Sequence, residues 1–343
     1  MTGVIETAAG KIPVVSRVIT LKDRLGSMKV RCGIGRSSYR VDPGLYALGN
    51  PDSESEILVT ANYKLTFDTL RACVGERSFW LLVLDTHGVN VWCAAGKGTF
   101  GTDQLVSRIG SSRLHLLVRH RSLIVPQLAA PGISAWEVKK MSGFKVIFGP
   151  VECLDLAEFM DNGLVASRSM RFKNFGLADR ATLIPVELLH SMKIGVCFSF
   201  LSLILGGFLG QNHFFENAVK YGGVMSAAIF IGIFSGAVLG PLLLPWLPSR
   251  SFAAKGAVIG MITPMTILAL TKGFLDSTWS LWEAGTIFMV SMAAASCLTM
   301  NFTGSSVFTS LSGVRKEMKW AIPFQIVVLA CGLVAWAVSF LAE

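Results

Sequence analysis

Apolar positions along this chain fall into two regimes. From about residue 192 they merge into five long runs, near 192–210, 222–246, 254–275, 281–300 and 320–341. Each run approaches the ~20 residues that carry a helix across a bilayer, and soluble cores do not string so many together. Upstream, the apolar positions come in short bursts whose spacing switches between strand and helix. Ile57–Ala61 predicts a strand and Lys64–Cys73 a helix, followed by a near-continuous apolar strand over 79–85 of the kind found in a sheet covered on both faces. The pattern continues over 89–92 beyond a turn at His87 and Gly88, then predicts a helix over 102–109 opened by Thr102 and Asp103. Short strands over 114–118 and 123–125, a helix over 134–141 and a strand at Lys145–Phe148 complete the series. Such alternation predicts an α/β domain of Rossmann-like type with a largely parallel sheet. The expected organisation is an irregular N-terminal extension of the soluble domain over 1–56, the α/β domain over 57–175, a linker over 176–191 and an all-α five-helix transmembrane bundle over 192–343.

Composition agrees with a membrane half. Charged residues are 15% of the chain, against about 25% in soluble proteins, and hydrophobic residues are 52%. That excludes a disordered chain. Lys and Arg exceed Asp and Glu by 9. Their placement orients the bundle, because positive loops stay in the cytoplasm. Arg168, Arg171, Lys173 and Arg180 precede the first run, Arg250 and Lys255 lie between the second and third, and Arg315, Lys316 and Lys319 lie between the fourth and fifth. The opposite loops hold only Lys220 and Lys272. The first 26 residues lack the apolar stretch of a secretory signal. The expectation is therefore a multi-pass protein of the cytoplasmic (inner) membrane, with its soluble domain in the cytoplasm and Glu343 on the outer side.

Within the spans, Lys193, Lys272 and Glu283 lie near the ends, where snorkelling accounts for them. Gly232, Gly236 and Gly240 form a G-x-x-x-G ladder, and Gly206 with Gly210 adds another; close helix packing is the expected role. The seven cysteines, at 32, 73, 93, 153, 197, 297 and 331, stand singly. An odd count with no C-x-x-C pair argues against a disulfide scaffold, a zinc ribbon and an iron–sulfur cluster of its own.

Chemistry concentrates in 90–102, which reads N-V-W-C-A-A-G-K-G-T-F-G-T. Gly96, Gly98 and Gly101 match a dinucleotide fingerprint, but the acidic residue wanted about 20 positions on is replaced by Arg119-His120-Arg121. Cys93 could be a nucleophile served by His87 or His120, a structural thiol, or one soft axial ligand to a metal whose other donors come from a macrocycle. The small residues Ala94, Ala95 and Gly96 would let a flat ring approach the backbone. A histidine-ligated cobalamin motif, D-x-H-x-x-G, starts at Asp85 but fails at Asn90.

The segment 90–97, N-V-W-C-A-A-G-K, resembles the cap signature of the mercury-methylating corrinoid membrane proteins, the HgcA family. So do 43–50 (P-G-L-Y-A-L-G-N), 59–68 (V-T-A-N-Y-K-L-T-F-D), 120–132 (H-R-S-L-I-V-P-Q-L-A-A-P-G), 142–150 (S-G-F-K-V-I-F-G-P) and the order of a soluble domain followed by five spans. The soluble domain is similar to the corrinoid domain of the corrinoid iron–sulfur protein of the acetyl-CoA pathway. The resemblance implies an anaerobic, corrinoid-dependent methyltransferase that passes methyl from the cobalt of a base-off cobalamin to Hg(II), giving methylmercury. It implies Cys93 as catalytic residue and lower axial cobalt ligand, with Asn90, Val91, Trp92, Ala94, Ala95, Gly96 and Lys97 forming the cap and Thr60, Asn62, Thr66, His120 and Gly149 near the corrinoid. It further implies a ferredoxin-like partner with two [4Fe–4S] clusters and a methylfolate-linked methyltransferase as methyl donor; no nucleic-acid partner is expected. The rival expectation is a transporter or sensor whose α/β domain binds a nucleotide at 96–101.

Overall fold

A computed structural model describes residues 2–209, 212–270, 280–305 and 311–341. It divides into two units, Met1–Asn174 and Phe175–Glu343. The first is built on a seven-stranded sheet of order β1-β2-β3-β5-β4-β6-β7. The strands are β1 (Gly3–Thr7), β2 (Gly10–Val15), β3 (Gly44–Leu48), β4 (Ile57–Ala61), β5 (Phe79–Leu84), β6 (Ser122–Val125) and β7 (Lys145–Phe148). The helices are α1 (Leu21–Arg31), α2 (Lys64–Cys73), α3 (Val91–Lys97), α4 (Thr102–Ser111), α5 (Ala135–Ser142) and α6 (Leu156–Asp161). The strands β5, β4, β6 and β7 are mutually parallel.

Every residue of β4 and β5 is buried, so strand alternation divides their side chains between two cores. Ile57, Val59, Leu82 and Leu84 join α3, α4 and α5 on one face, while Leu58, Leu81 and Val83 join α2 and α6 on the other. The chain leaves β4 through α2 towards β5, then returns past β4 to β6. The order therefore reverses between β4 and β6, and a crevice opens at their carboxyl ends, as in doubly wound sheets generally.

The segment 1–56, expected to be irregular, supplies three strands of the same sheet together with α1. β3 pairs antiparallel with β5 from Gly44↔Val83 to Leu48↔Phe79, and β1–β2 is a hairpin beyond it. The strand expected over 114–118 is instead a single tight helical turn, Leu114–Leu116. A left-handed Arg113, φ 49°, starts it, and Leu117 donates to the Leu114 carbonyl. The apolar residues 89–92 do not prolong β5 but lead into α3.

In the second unit, α7 (Leu177–Phe208), α8 (Phe214–Leu243), α9 (Phe252–Leu270), α10 (Leu281–Asn301) and α11 (Leu311–Leu341) are helical. Among the described residues, five helices are long and apolar enough to cross a membrane, which supports a membrane protein. Of the interval 176–191, expected as a linker, all but the capping Gly176 is helical and forms the first half of α7. The glycine ladder of α8 packs closely against α10. A Cβ at Gly232 would stand 2.7 Å from the Ala294 Cβ, and one at Gly236 would stand 2.8 Å from the Ala295 Cα. Gly206 abuts Gly222 of α8 in the same way, with a Cβ at 2.5 Å from its nitrogen. Gly210, Lys272 and Glu343 lie outside the described residues. Glu283 does not snorkel: it is buried and caps α10, accepting from the Ser280 amide at 2.8 Å while its own amide donates to the Ser280 hydroxyl at 3.2 Å.

Candidate functional site

The segment that follows β5 is shaped by Asn62. This side chain is 1% exposed at the carboxyl end of β4. Its Oδ1 accepts from the Thr86 amide at 3.1 Å, the Thr86 hydroxyl at 2.9 Å and the Gly88 amide at 3.0 Å, while its Nδ2 donates to Asp85 at 2.9 Å. The loop 85–89 is thereby tied to the sheet and turns through left-handed His87 and Gly88. His87 is exposed and is a turn residue, as the sequence suggests.

Asn90 then caps α3, its Oδ1 accepting from the Cys93 amide at 2.9 Å. Gly98, left-handed with φ 79°, ends the helix. Val91, Ala94 and Ala95 face the core, whereas Trp92, Cys93, Gly96 and Lys97 face outward. Positions 92, 93, 96 and 97 share one side of a helix by the 3.6-residue repeat. Trp92 is 41% exposed, and an atom added as a Cβ on Gly96 would meet nothing within 4 Å. Beneath the helix the packing is tight: a Cβ on Gly132 would come within 2.4 Å of the Phe100 carbonyl and 3.1 Å of the Ala95 Cα. The protein itself therefore needs glycine at 132, while nothing in its own packing requires glycine at 96.

Beside α3 a cavity of about 360 Å³ opens at the carboxyl ends of β4 and β6. Thr60, Thr66, Asn90, Val91, Trp92, Pro126 and Gly149 line it, so the structure brings together residues from four of the five segments that carry the resemblance. Gly149 lies close to β6, where a Cβ would stand 2.9 Å from the Ile124 Cγ2. Tyr63 also lines the cavity, and burial raises its phenol above its ordinary pKa despite the opposing charge of Arg36.

Two expected contacts stand elsewhere. Asn62 is committed to the loop 85–89 and contributes by placing α3. His120 lies at the other end of the sheet. Its Nε2 is 3.0 Å from the Ser55 carbonyl, just before β4, and its Nδ1 accepts from the Ser122 amide at the start of β6. Because β4 and β6 run parallel, with Leu58 opposite Ile124, a residue preceding both strands is separated from the cavity by the strands themselves. Neither histidine hydrogen-bonds to Cys93 among the described residues, which leaves the nucleophile reading without a base.

The fingerprint reading also lacks its geometry. Gly96 is inside a helix, and the Gly98, Thr99 and Phe100 amides donate to the carbonyls of Ala94 and Ala95, so that backbone is already engaged rather than turned to a phosphate. The sequence reading missed Tyr63, and it missed that Cys153 lines the cavity while bonded to Cys73 as a disulfide, with Cα atoms 5.9 Å apart and a sequence separation of 80. No local pattern marks such a pair.

Residues 21–157 match the family described as CO dehydrogenase/acetyl-CoA synthase delta subunit. The α/β unit is similar to subunits of that enzyme system. The acetyl-CoA decarbonylase/synthase complex subunit gamma of Methanopyrus kandleri is 32% identical over 128 residues, 37% of this chain and 27% of the relative. The same subunit of Archaeoglobus fulgidus is 32% identical over 119 residues, 34% of this chain and 25% of the relative. That of Methanothermobacter thermautotrophicus is 30% identical over 128 residues, 37% and 28% respectively. The chain thus spans about a quarter of the length of these relatives. The likeness of the soluble domain to proteins of the acetyl-CoA pathway, read from its motifs, is borne out at this level, and none of these names concerns mercury.

Proposed function

We propose that the α/β unit binds a base-off corrinoid against the outer face of α3, and that the chain transfers methyl from it to Hg(II), giving methylmercury. The observation that carries this reading is the outer face of α3. It presents a thiol at Cys93 and bare backbone with open space at Gly96, beside a cavity at the switch point of the sheet. The residues fit such a group. A thiolate is a soft donor suited to a late transition metal, and coordination removes its proton. The similarity to acetyl-CoA decarbonylase/synthase subunits supports corrinoid methyl transfer as the general chemistry.

Cys93 and the bare backbone at Gly96 would hold the corrinoid, which would supply a methyl group for transfer to an electrophile such as Hg(II). The chain's own residues position that thiol. Asn90 holds the Cys93 amide, Asn62 fixes the loop before it, and Gly132 seats Ala95 from below. Trp92, Thr60, Thr66 and Gly149 line the adjoining space. A separate ferredoxin-like protein with two [4Fe–4S] clusters would serve as electron donor, and a methylfolate-linked methyltransferase as methyl donor. Both meet the unit on the cytoplasmic face of the inner membrane.

The test is anaerobic purification of the full chain with cobalamin, followed by absorption spectroscopy and a methylmercury assay. The parent protein should show corrinoid bands altered by a thiolate ligand. Cys93→Ala should lose that signature and the methylation while keeping the circular dichroism of the parent, because Cys93 faces outward. Methylation at the parent rate by Cys93→Ala would refute the ligand role. A colourless protein carrying a nucleotide would favour the transporter or sensor reading.

A further inference from the structure

Cys73 closes α2, and Cys153 lies in the turn after β7. The disulfide between them joins two walls of the cavity, since Thr69 and Leu70 of α2 line it on one side and Glu152 and Cys153 on the other. We propose that this pair, once reduced, is a dithiolate site for one thiophilic, two-coordinate metal ion of the Hg(II) class. The choice of Hg(II) as the natural ion rests on the methyl-acceptor reading above; the site itself rests on geometry.

Three features favour it. The first is preorganisation. Arg71 ties α2 to Asp23 at 2.9 Å and is itself held in place by Asp68, one turn earlier, at 2.8 Å. The Val151 amide holds the turn after β7 by donating to the Met170 carbonyl at 2.8 Å. Breaking the S–S bond therefore leaves both cysteines in place, and side-chain rotation alone lets the sulfurs part to admit an ion between them. The second is access, because both cysteines are only half-buried. The third is chelation. The remaining five thiols, Cys32, Cys93, Cys197, Cys297 and Cys331, are unpaired. An ion held by one sulfur of the pair meets the second as an intramolecular ligand, at an effective concentration that an isolated thiol cannot match. Soft thiolates select soft ions for the same pair.

The chemistry balances. An external dithiol opens the Cys73–Cys153 bond by exchange and leaves as its own disulfide. The two thiols then lose two protons and form two S–Hg bonds, and mercury stays divalent throughout. Release follows by exchange with an incoming thiolate, which takes over one S–Hg bond at a time.

The experiment uses the full chain in detergent, free of corrinoid, reduced with a phosphine that is then removed. One equivalent of HgCl₂ is added, the thiols are alkylated, and each cysteine is followed by peptide mass spectrometry. Cys73 and Cys153 should be alkylated at least tenfold more slowly than without mercury, while the unpaired cysteines react as before. In Cys73→Ser, shown to be folded by circular dichroism, the protection of Cys153 should vanish. Unchanged alkylation of the pair, protection of Cys153 that survives Cys73→Ser, or a disulfide that the phosphine leaves intact would each overturn the proposal. A failure here leaves the corrinoid spectrum of the parent untouched, and a missing corrinoid spectrum leaves the mercury protection untouched, so the two readings fail separately.

Discussion

Gly96 offers a test in which stability and function move in opposite directions. It sits in the last turn of α3 with ordinary helical backbone, and a Cβ there meets nothing within 4 Å. Glycine in a helix costs roughly 0.5–1 kcal/mol relative to alanine through lost backbone freedom. Gly96→Ala should therefore stabilise the unit by up to about 1 kcal/mol, the upper value being reduced by its place near the helix end. For a unit of this size that raises the melting temperature by about 2–4 °C. Gly96→Leu should fold equally well, because its side chain projects into the same open space. If a planar macrocycle lies against this face, the extra carbons occupy its place. Corrinoid affinity should then fall at least tenfold, about 1.4 kcal/mol, in Gly96→Leu and less in Gly96→Ala. Thermal melts by circular dichroism and an anaerobic spectroscopic titration with cobalamin measure the two effects. Parental affinity in Gly96→Leu would refute the placement of the ring. Clear destabilisation in Gly96→Ala would refute the claim that the space is open.

Cys93→His should lose most methylation even where corrinoid remains bound, because neutral imidazole gives the metal less charge than a thiolate; full occupancy with near-normal turnover in the same preparation would show that position matters and ligand charge does not. Asn62→Ala leaves the buried amides of Thr86 and Gly88 without their acceptor and should cost about 3 kcal/mol, read as a lower denaturant midpoint; a loss within error would remove Asn62 from the scaffold of α3. Burial pushes the Asp23 carboxyl up, but hydrogen bonds from Lys64 and Thr20 outweigh it and hold the group well below the usual carboxylate range. Its folded pKa is depressed, so its contribution is present above the unfolded value of about 4 and is lost as pH falls towards the folded value. Asp23→Asn should therefore flatten the fall in stability below that pH, and an unchanged acid slope would contradict the assignment.

The elements nearest the site are legible in the chain because local pattern dictates them. β4, α2 and β7 fall where apolar runs and helical spacing place them, since β4 is buried on both faces and α2 buries one side. The five spans are legible for a similar reason: a bilayer requires each helix to satisfy its own backbone and to be apolar along its length. The segment 90–97 also announces itself by composition, with a capping Asn90, small residues for the buried side and a lone thiol. Other features depended on partners distant in sequence. The strands within 1–56 are short and partly exposed, and they become strands by pairing with one another and with β5. The turn at Leu114 follows from one left-handed residue rather than from any periodicity. The remote position of His120, the cavity between α2 and the turn after β7, and the meeting of Cys73 with Cys153 all follow from the order β5-β4-β6-β7. Periodicity records which face of an element is buried; which elements become neighbours is set by the packing of the whole sheet, and only the tertiary structure holds that information.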